Sequence, residues 1–325
     1  MDAKPATGHA GANIALIKYW GKRDGRLNLP AAGSLSITLA DLVTETRLEP
    51  DSRLTRDELI LDGRRMEPGR VADVLDRMRA LAGATGYFRV ESHNNFPTAA
   101  GLASSASAFA ALVVAADRAL GLGLAASRLS ELARRGSGSA ARSIFGGFVE
   151  MSRGDLEDGS DCVASGLAGS DHWPLRVVVA ITDRGGKRVS STDGMNLTQQ
   201  TSPYYQPWVD SVEADLAEAR SAILARDFER TAEVAEHSAL KMHASALASR
   251  PGLLYWNPAT LACLHEIRGM REDGVGVFFT IDAGPQVKAV CLPGAEDAVA
   301  ERLASVPGVL DLVRTGLGAG AGVLE

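Results

Sequence analysis

Residues 94–120 read NNFPTAAGLASSASAFAALVVAADRAL. The segment opens as irregular polypeptide at Asn94 and passes through the small residues from Thr98 to Ser105. It then becomes an alanine-rich run with Phe109, Leu112, Val113 and Ala116 at helical spacing. Ser104, Ser105 and Ser107 fall where that helix begins. Unpaired N–H groups of a first turn, the positive end of the helix dipole and the serine hydroxyls together suit a phosphate. The same residues read equally well as a serine-capped core helix, and the segment alone leaves both open. It is not a Walker A loop, because no GK[ST] follows the glycine.

Upstream, GANIALIKYW at 11–20 is an apolar strand closed by Lys18. A lysine there is either a strand-end snorkel or a charge held over a site. Lys22 and Arg23 follow in a polar turn. Residues 34–39 alternate polar and apolar, 44–48 and 58–61 look like further strands, and an antiparallel meander is the expected arrangement. Val71, Val74, Leu75, Met78 and Leu81 give a helix over 71–81. Arg70 stands at its start, where a cation is unfavourable for the dipole, a hint that an anion holds it. A strand at 87–92 leads into the opening segment.

Downstream, GSGSAARSIFGG at 136–147 has the glycines and serines of a linker. Arg142, Ile144 and Phe145 argue instead for an ordered turn entering a strand at 148–151. Residues 152–171 read as a loop with one short helix, and LRVVVAIT at 175–182 as a buried strand. A second domain is expected from there. It opens with a polar stretch at 185–200 and continues with helices over 209–225, 229–248 and 258–272. Strands at 275–281 and 287–292, a helix over 295–305 and a strand at 309–313 complete it. The order predicts an α+β fold of two domains, 1–185 and 186–325.

With 325 residues, 46% of them hydrophobic and 23% charged, the chain has ample material for a core. Its net charge of −6 argues against a nucleic-acid or anionic-membrane surface, so cations for a phosphorylated ligand must be placed locally. Three cysteines without CxxC spacing suggest neither a disulfide framework nor a zinc site, and point to a reducing, cytoplasmic setting. The N-terminal residues lack a signal-peptide pattern, and no apolar run approaches a membrane span. The histidines lack HExxH spacing, so no metal-ligating set is expected. Asp282, at the end of an apolar strand before Ala-Gly-Pro, is by chemistry alone most often a turn former.

Five segments together carry a resemblance: NIALIKYWGKRD at 13–24, NNFPTAAGLASSASAFAAL at 94–112, RRGSGSAARSIFGG at 134–147, VSSTDGM at 189–195 and FTIDAGPQVKAV at 279–290. They resemble, in order and over essentially the whole chain, the diphosphomevalonate decarboxylase family of the GHMP small-molecule kinase superfamily. The KYWGK and GSGSAxRSxFGG motifs are what separate it from mevalonate and homoserine kinases.

The resemblance implies a ribosomal protein S5 domain 2-like N-terminal domain and a ferredoxin-like C-terminal domain with the site between them. The implied activity is conversion of mevalonate 5-diphosphate and ATP, with Mg2+, into isopentenyl diphosphate, CO2, phosphate and ADP in the mevalonate route to isoprenoids. A homodimer is implied as well. Asp282 matches the catalytic aspartate, Lys18 the active-site lysine and Arg142 the arginine that orients the substrate carboxylate. Tyr19, Lys22 and Arg70 match diphosphate contacts, Ser137 and Ser139 supply hydroxyls, and Ser190, Ser191 and Thr201 lie in a further substrate-binding segment. Asn94, Thr98, Gly101, Leu102, Ala103, Ser104, Ser105 and Ser107 match the ATP cradle. Some bacterial relatives carry arginine where Thr192 stands here, which puts one diphosphate contact at issue. The competing readings are a phosphomevalonate decarboxylase or mevalonate 3-kinase-type relative, and a non-catalytic metabolite-binding module on the same fold.

Overall fold

The computed structural model describes residues 3–96, 104–185 and 188–324, and all counts of elements refer to these. Two long strands organise the N-terminal half: β1 (Ala6–Ile17) and β4 (Ser34–Pro50) run antiparallel, from Ala6 opposite Leu48 to Ile17 opposite Leu35. Between them lies a small hairpin of β2 (Lys22–Asp24) and β3 (Leu29–Pro30). After β4 come β5 (Glu58–Leu61), β6 (Arg64–Met66), helix α1 (Arg70–Ala82) and β7 (Phe88–Asn94). Then follow α2 (Ser104–Leu120), α3 (Ala126–Gly136), α4 (Ala140–Ser143), β8 (Phe148–Met151) and β9 (Ala164–Ala168).

The second half contains β10 (Arg176–Ile181), α5 (Ser191–Thr201), α6 (Tyr205–Ala225), α7 (Phe228–Leu247) and α8 (Pro258–Glu272). It continues through β11 (Val277–Thr280), β12 (Val287–Cys291), α9 (Glu296–Ala304), β13 (Asp311–Gly316) and β14 (Gly322–Leu324). The first sheet has eight strands in the path β14-β1-β4-β7-β5-β6, with β8 on β4 and β9 on β8. Its only parallel pair is β5 with β7. The second sheet is antiparallel, in the order β11-β12-β10-β13.

Period-2 alternation in the second sheet decides what each side covers. Val177, Val179, Phe278 and Val290 point into one core with Ile14, Leu16 and Ile37 of the first sheet and with Val212, Leu216 and Met242 of α6 and α7. Val178, Ala180, Val277, Phe279 and Ala289 face the opposite way, onto Cys263, Ile267, Val299 and Leu303 of α8 and α9. A separate core under the first sheet joins Leu48, Phe88 and Val90 to Val74 and Met78 of α1 and to the alanine face of α2. Complete burial of each Val, Leu or Phe there contributes roughly 1.5–3 kcal/mol. The helix α2 lies unusually close to β1 because Gly8 faces it: a Cβ on Gly8 would sit 2.3 Å from the carbonyl oxygen of Ala111. That seam fixes where the N-terminus of α2 comes to rest.

Several expectations change. The strands expected at 34–39 and 44–48 are one strand, β4, which continues because register shifts in its pairing with β1 absorb the irregularity near Gly11. Residues 152–171 hold β9 and, among the described residues, no helix. Ala-Ser-Gly-Leu-Ala has little strand preference of its own, so pairing with β8 makes it a strand. The polar stretch 185–200 contains α5, started by Ser190, whose side chain accepts from the Asp193 amide, and held by burial of Met195. Helix α3 has no counterpart in the sequence reading. The second sheet begins at Arg176, ahead of the division expected at 185, and β14 returns the chain to the first sheet, where Thr7 pairs with Leu324.

Candidate active site

A cavity of about 490 Å³ opens between the two sheets. The end of β1 supplies Lys18, Tyr19 and Trp20, and the hairpin supplies Lys22 and Asn28. Arg70 enters from the start of α1, Ser105 from α2, and Ser137, Ser139 and Arg142 from the turn around α4. Ser190, Ser191, Thr192 and Met195 close one side, Met242 another, and Asp282 stands on the wall formed by the second sheet. Segments separated by more than 260 residues thus meet in one space.

At its base, the Asp282 carboxylate is bridged by two ammonium groups: Oδ1 lies 3.1 Å from Lys18 Nζ and Oδ2 lies 3.1 Å from Lys288 Nζ. Lys18 is fixed at both ends, since its Nζ also donates to the Ala15 carbonyl at 2.7 Å and its amide donates to Ser238 Oγ at 3.0 Å. Burial pushes the Asp282 carboxyl up, but Lys18 and Lys288 outweigh it and hold the group well below the usual carboxylate range. Burial pulls Lys18 down to about 8, with Asp282 opposing that change and Lys288 adding to it. Behind Asp282, the Nε2 of buried His243 lies 2.8 Å from its main-chain oxygen. Burial and the Lys18 charge lower this imidazole to about 3, so it is neutral, and with Nε2 facing a carbonyl it must be the Nε2–H donor.

Arg142 sits in the short helix α4, 2% exposed. Its Nη1 donates to Ser34 Oγ at 2.6 Å and its Nη2 to Asn13 Oδ1 at 3.3 Å, while the guanidinium lies 5.8 Å from the centre of the Tyr19 ring. Its Nε has no partner among the described residues. Burial lowers Arg142 to about 10, against the opposing effects of Tyr19 and Asp282, so it stays cationic. The buried Tyr19 hydroxyl also lacks a partner among the described residues, and Gly138 is what makes room for it: a Cβ there would come within 2.2 Å of that oxygen. Unpaired buried donors of this kind are costly unless a ligand or water completes them.

The opposite wall is cationic and hydroxyl-rich. Lys22 Nζ is 2.6 Å from Asn28 Oδ1, and Asn28 Nδ2 donates at 2.8 Å to the Arg135 carbonyl. Burial, and then the Arg70 charge, lower the Lys22 pKa. Arg70 Nη1 donates to the Gly136 carbonyl at 2.9 Å. Ser105, Ser137 and Ser139 form a chain of hydroxyls at 3.1 and 3.3 Å.

A second cavity of about 290 Å³ adjoins the first and shares Arg70 and Ser105 with it. Leu59, Leu61, Val90, Phe109 and Leu112 make it apolar, with Asn94 and Ser104 at its edge. Ser107 is not on this surface; it is buried, with its hydroxyl 2.6 Å from that of Thr44. Thr98, Gly101, Leu102 and Ala103 lie outside the described residues. Thr201 is away from both cavities, donating to the Leu197 carbonyl at 2.7 Å and accepting from the Arg250 amide at 2.8 Å. Its place at the end of α5 turns it from the site.

Sequence reasoning missed Lys288, His243, Asn28, Asn13 and Ser34. Lys288 alone left a signal, as the one charge inside the apolar strand VKAVC. The others are polar residues whose partners lie up to 130 positions away, visible only after folding.

A two-domain α+β architecture, a helix N-terminus carrying serines beside an apolar cavity, and a buried lysine–aspartate pair across the cleft define the GHMP-kinase class of phosphoryl-transfer folds. Residues 10–164 match the diphosphomevalonate decarboxylase-like N-terminal domain, and residues 177–310 match the mevalonate 5-diphosphate decarboxylase C-terminal domain. The chain belongs to the diphosphomevalonate decarboxylase family. The diphosphomevalonate decarboxylase of Ganoderma lucidum is 39% identical, over 88% of this chain and 78% of the relative. The crystal structure of mevalonate diphosphate decarboxylase from Staphylococcus aureus is 38% identical, with a TM-score of 0.93 over 99% of this chain and 98% of that one. Another solved structure, a complex named as MDDEF with MVAPP, AMPPCP and magnesium, is 40% identical with a TM-score of 0.91 over 99% of both chains.

Proposed function

We propose that this chain converts mevalonate 5-diphosphate and ATP into isopentenyl diphosphate, CO2, phosphate and ADP, with the roles of its residues set by the geometry of the cleft. The observation that carries the reading is the placement of Asp282, Lys18 and Arg142 on one cavity whose far wall holds Lys22, Arg70 and the serine chain. The substrate has a C3 hydroxyl, a carboxylate and a diphosphate, and these three regions complement it.

Lys22, Arg70 and the hydroxyls of Tyr19, Ser137 and Ser139 bind the diphosphate, the buried tyrosine hydroxyl gaining the acceptor it lacks. Ser190, Ser191 and Thr192 border the same space. No arginine stands at Thr192, so the diphosphate relies on Lys22 and Arg70 for charge. Three of Arg142's N–H groups are directed to Ser34, Asn13 and the sulfur of Met151, which leaves its Nε–Nη2 edge for the substrate carboxylate. Asp282, ionised, accepts a hydrogen bond from the C3 hydroxyl and points its oxygen at the γ-phosphate.

The nucleotide takes the adjoining apolar cavity, with its phosphates towards Ser104, Ser105 and the N-terminus of α2. Among the described residues no group of three His, Cys, Asp or Glu could hold a metal by itself. The serine hydroxyls are hard oxygen donors that suit Mg2+ arriving already chelated by ATP, and Ser105 is the nearest to both cavities. Ser104 and Ser105 would hold the ion there, and it would supply neutralisation of the charge on the ATP phosphates.

In the chemical step the C3 oxygen forms its bond to the γ-phosphorus as the bond to ADP breaks, and the hydroxyl proton leaves along the hydrogen bond to Asp282. A tertiary alcohol is a poor acid, so holding the oxygen in line contributes more than removing its proton. The C3–O bond then breaks with its electron pair on phosphate. The electrons of the C–CO2 bond form the alkene as CO2 departs. Lys18 and the other cations stabilise the departing phosphate.

We also propose a homodimer in the cytoplasm. Among the described residues no helix is long and apolar enough to cross a membrane, and Cys162, Cys263 and Cys291 are free thiols. The domain division is proposed to follow the sheets, with β14 belonging to the N-terminal unit.

The deciding assay supplies mevalonate 5-diphosphate or the 5-monophosphate with ATP. CO2, phosphate and ADP in equal amounts from the diphosphate support the reading. A stable 3-phospho product makes the chain a kinase, preference for the monophosphate changes the substrate, and ligand binding without turnover makes it a binding module.

A further inference from the structure

The strand β12 carries a single charge. Its neighbours Val287, Ala289 and Cys291 face the α8–α9 core, while Val290 faces the first sheet. Alternation therefore turns Lys288 towards the first sheet, opposite Thr280 of β11 and Val179 of β10. Its side chain is 1% exposed, and its ammonium meets Asp282 Oδ2 at 3.1 Å. Desolvating an ammonium costs several kcal/mol even after relaxation, so a purely apolar strand would be the more stable choice at a position with no task.

The geometry supplies one. Lys18 reaches Oδ1 from the end of β1 and Lys288 reaches Oδ2 from the second sheet. A single cation leaves a carboxylate free to turn about its Cβ–Cγ bond, which has a broad torsional minimum. Two cations, one on each oxygen and rooted in different sheets, fix the plane of the group. The lone pairs they leave then face the cavity, where 23% of the Asp282 side chain is accessible. His243 fixes the main chain of the same residue from α7.

We infer that Lys288 is a positioning residue for the phosphoryl-transfer step, setting the orientation and charge of the Asp282 carboxylate without itself touching the substrate. The inference rests on the proposed role of Asp282. Besides Lys288, the charged or titratable groups facing that carboxylate are Lys18, Arg142 from α4 and His243 from α7. With Lys288 removed, Lys18 still neutralises Asp282, but the carboxylate turns and becomes more basic.

The test compares Lys288→Met, which keeps length without charge, and Lys288→Gln, which keeps a hydrogen-bond donor without charge, with Asp282→Asn in parallel. Steady-state kinetics with mevalonate 5-diphosphate and ATP are measured from about pH 3.5 to 9, so that a limb rising towards the ordinary carboxylate range is seen, and folding is followed by thermal melting at each pH. Lys288→Met is expected to lose at least tenfold in kcat, with both KM values within threefold of wild type. The acidic limb of its kcat profile moves to higher pH, and Lys288→Gln lies between it and wild type. If the Met variant does not fold, the Gln variant decides by the same measurements. Folded Lys288 variants with wild-type kcat and pH profile, beside an inactive Asp282→Asn, overturn the inference alone. So does a kcat loss that tracks a lowered melting temperature without a displaced acidic limb. An active Asp282→Asn overturns the role of Asp282 itself.

Discussion

His243 donates from Nε2 to the main-chain oxygen of Asp282 at 2.8 Å, while its ring packs 4.7 Å from that of Trp256. A neutral imidazole thus fixes the backbone of the residue whose carboxylate two lysines hold. Its basicity is lowered from the ordinary 6.5 to about 3, so between these values the unfolded chain binds the proton and the folded one does not. The stability this group contributes is present above about 6.5 and is lost as pH falls towards 3, with a slope of at most about 1.4 kcal/mol per pH unit. Thermal melting from pH 7 down to 5 should show a steeper decline for wild type than for His243→Gln. Parallel declines would place the acid sensitivity elsewhere.

Lys18 titrates at about 8 in the ligand-free site. Raising the pH through that value removes the ammonium and should lower kcat/KM, which reports the free enzyme. Bound phosphates favour the charged form, so the corresponding limb of kcat lies at higher pH. In Lys18→Arg the charge persists, and the basic limb near 8 should vanish even where overall activity falls. A limb that survives this substitution belongs to another group.

Arg142 is both a ligand for a carboxylate and the partner of Ser34 and Asn13. Arg142→Lys keeps a charge but cannot present two parallel donors. It should lower kcat/KM for mevalonate 5-diphosphate by about 10²-fold, equivalent to ~2.7 kcal/mol, while ATP affinity measured by calorimetry changes little. An effect confined to ATP would show that the substrate stands the other way round in the cleft.

Asn28 adopts a left-handed backbone, φ 52°, and accepts from Lys22 while donating to the Arg135 carbonyl. Replacing it with Gly keeps the backbone accessible and removes only the side-chain link. Asn28→Gly should raise KM for the diphosphate substrate about fivefold, equivalent to ~1 kcal/mol, the net contribution of a typical hydrogen bond, and leave kcat near wild type. Equal loss in kcat would give Lys22 a part in the chemical step.

Ala108 faces the smaller cavity from α2. Ala108→Trp places an indole in a space of about 290 Å³. KM for ATP should rise more than tenfold, while direct binding of mevalonate 5-diphosphate stays within threefold. Undiminished ATP affinity would move the nucleotide to another surface.

Most of this architecture could be read from periodicity. The helices α1, α6, α7 and α8 announce themselves through apolar stripes, and β10 through its β-branched run. The exceptions share a cause. Ala164–Ala168 and Ser191–Thr201 have weak local preferences and take their form from partners distant in the chain. At the site, Lys18 and Asp282 stood out because a charge closing an apolar strand is unusual. Asn13, Ser34 and Ser238 did not, since a polar residue in a half-buried strand or helix is ordinary until its partner is known. Ser107 and Thr201 stand in segments whose resemblance points to ligands, yet their hydroxyls serve Thr44 and the Leu197 carbonyl.

The pairing of β14 with the first residues of β1 sets an order on biosynthesis. A ribosome must deliver residues 322–324 before Thr7, Gly8 and His9 acquire their edge partner, so the sheet begun first is among the last parts finished. A nascent chain released short of that point leaves an open strand edge able to pair with another copy. Closing that edge therefore ties the earliest-made strand of the first sheet to one made more than 300 residues later.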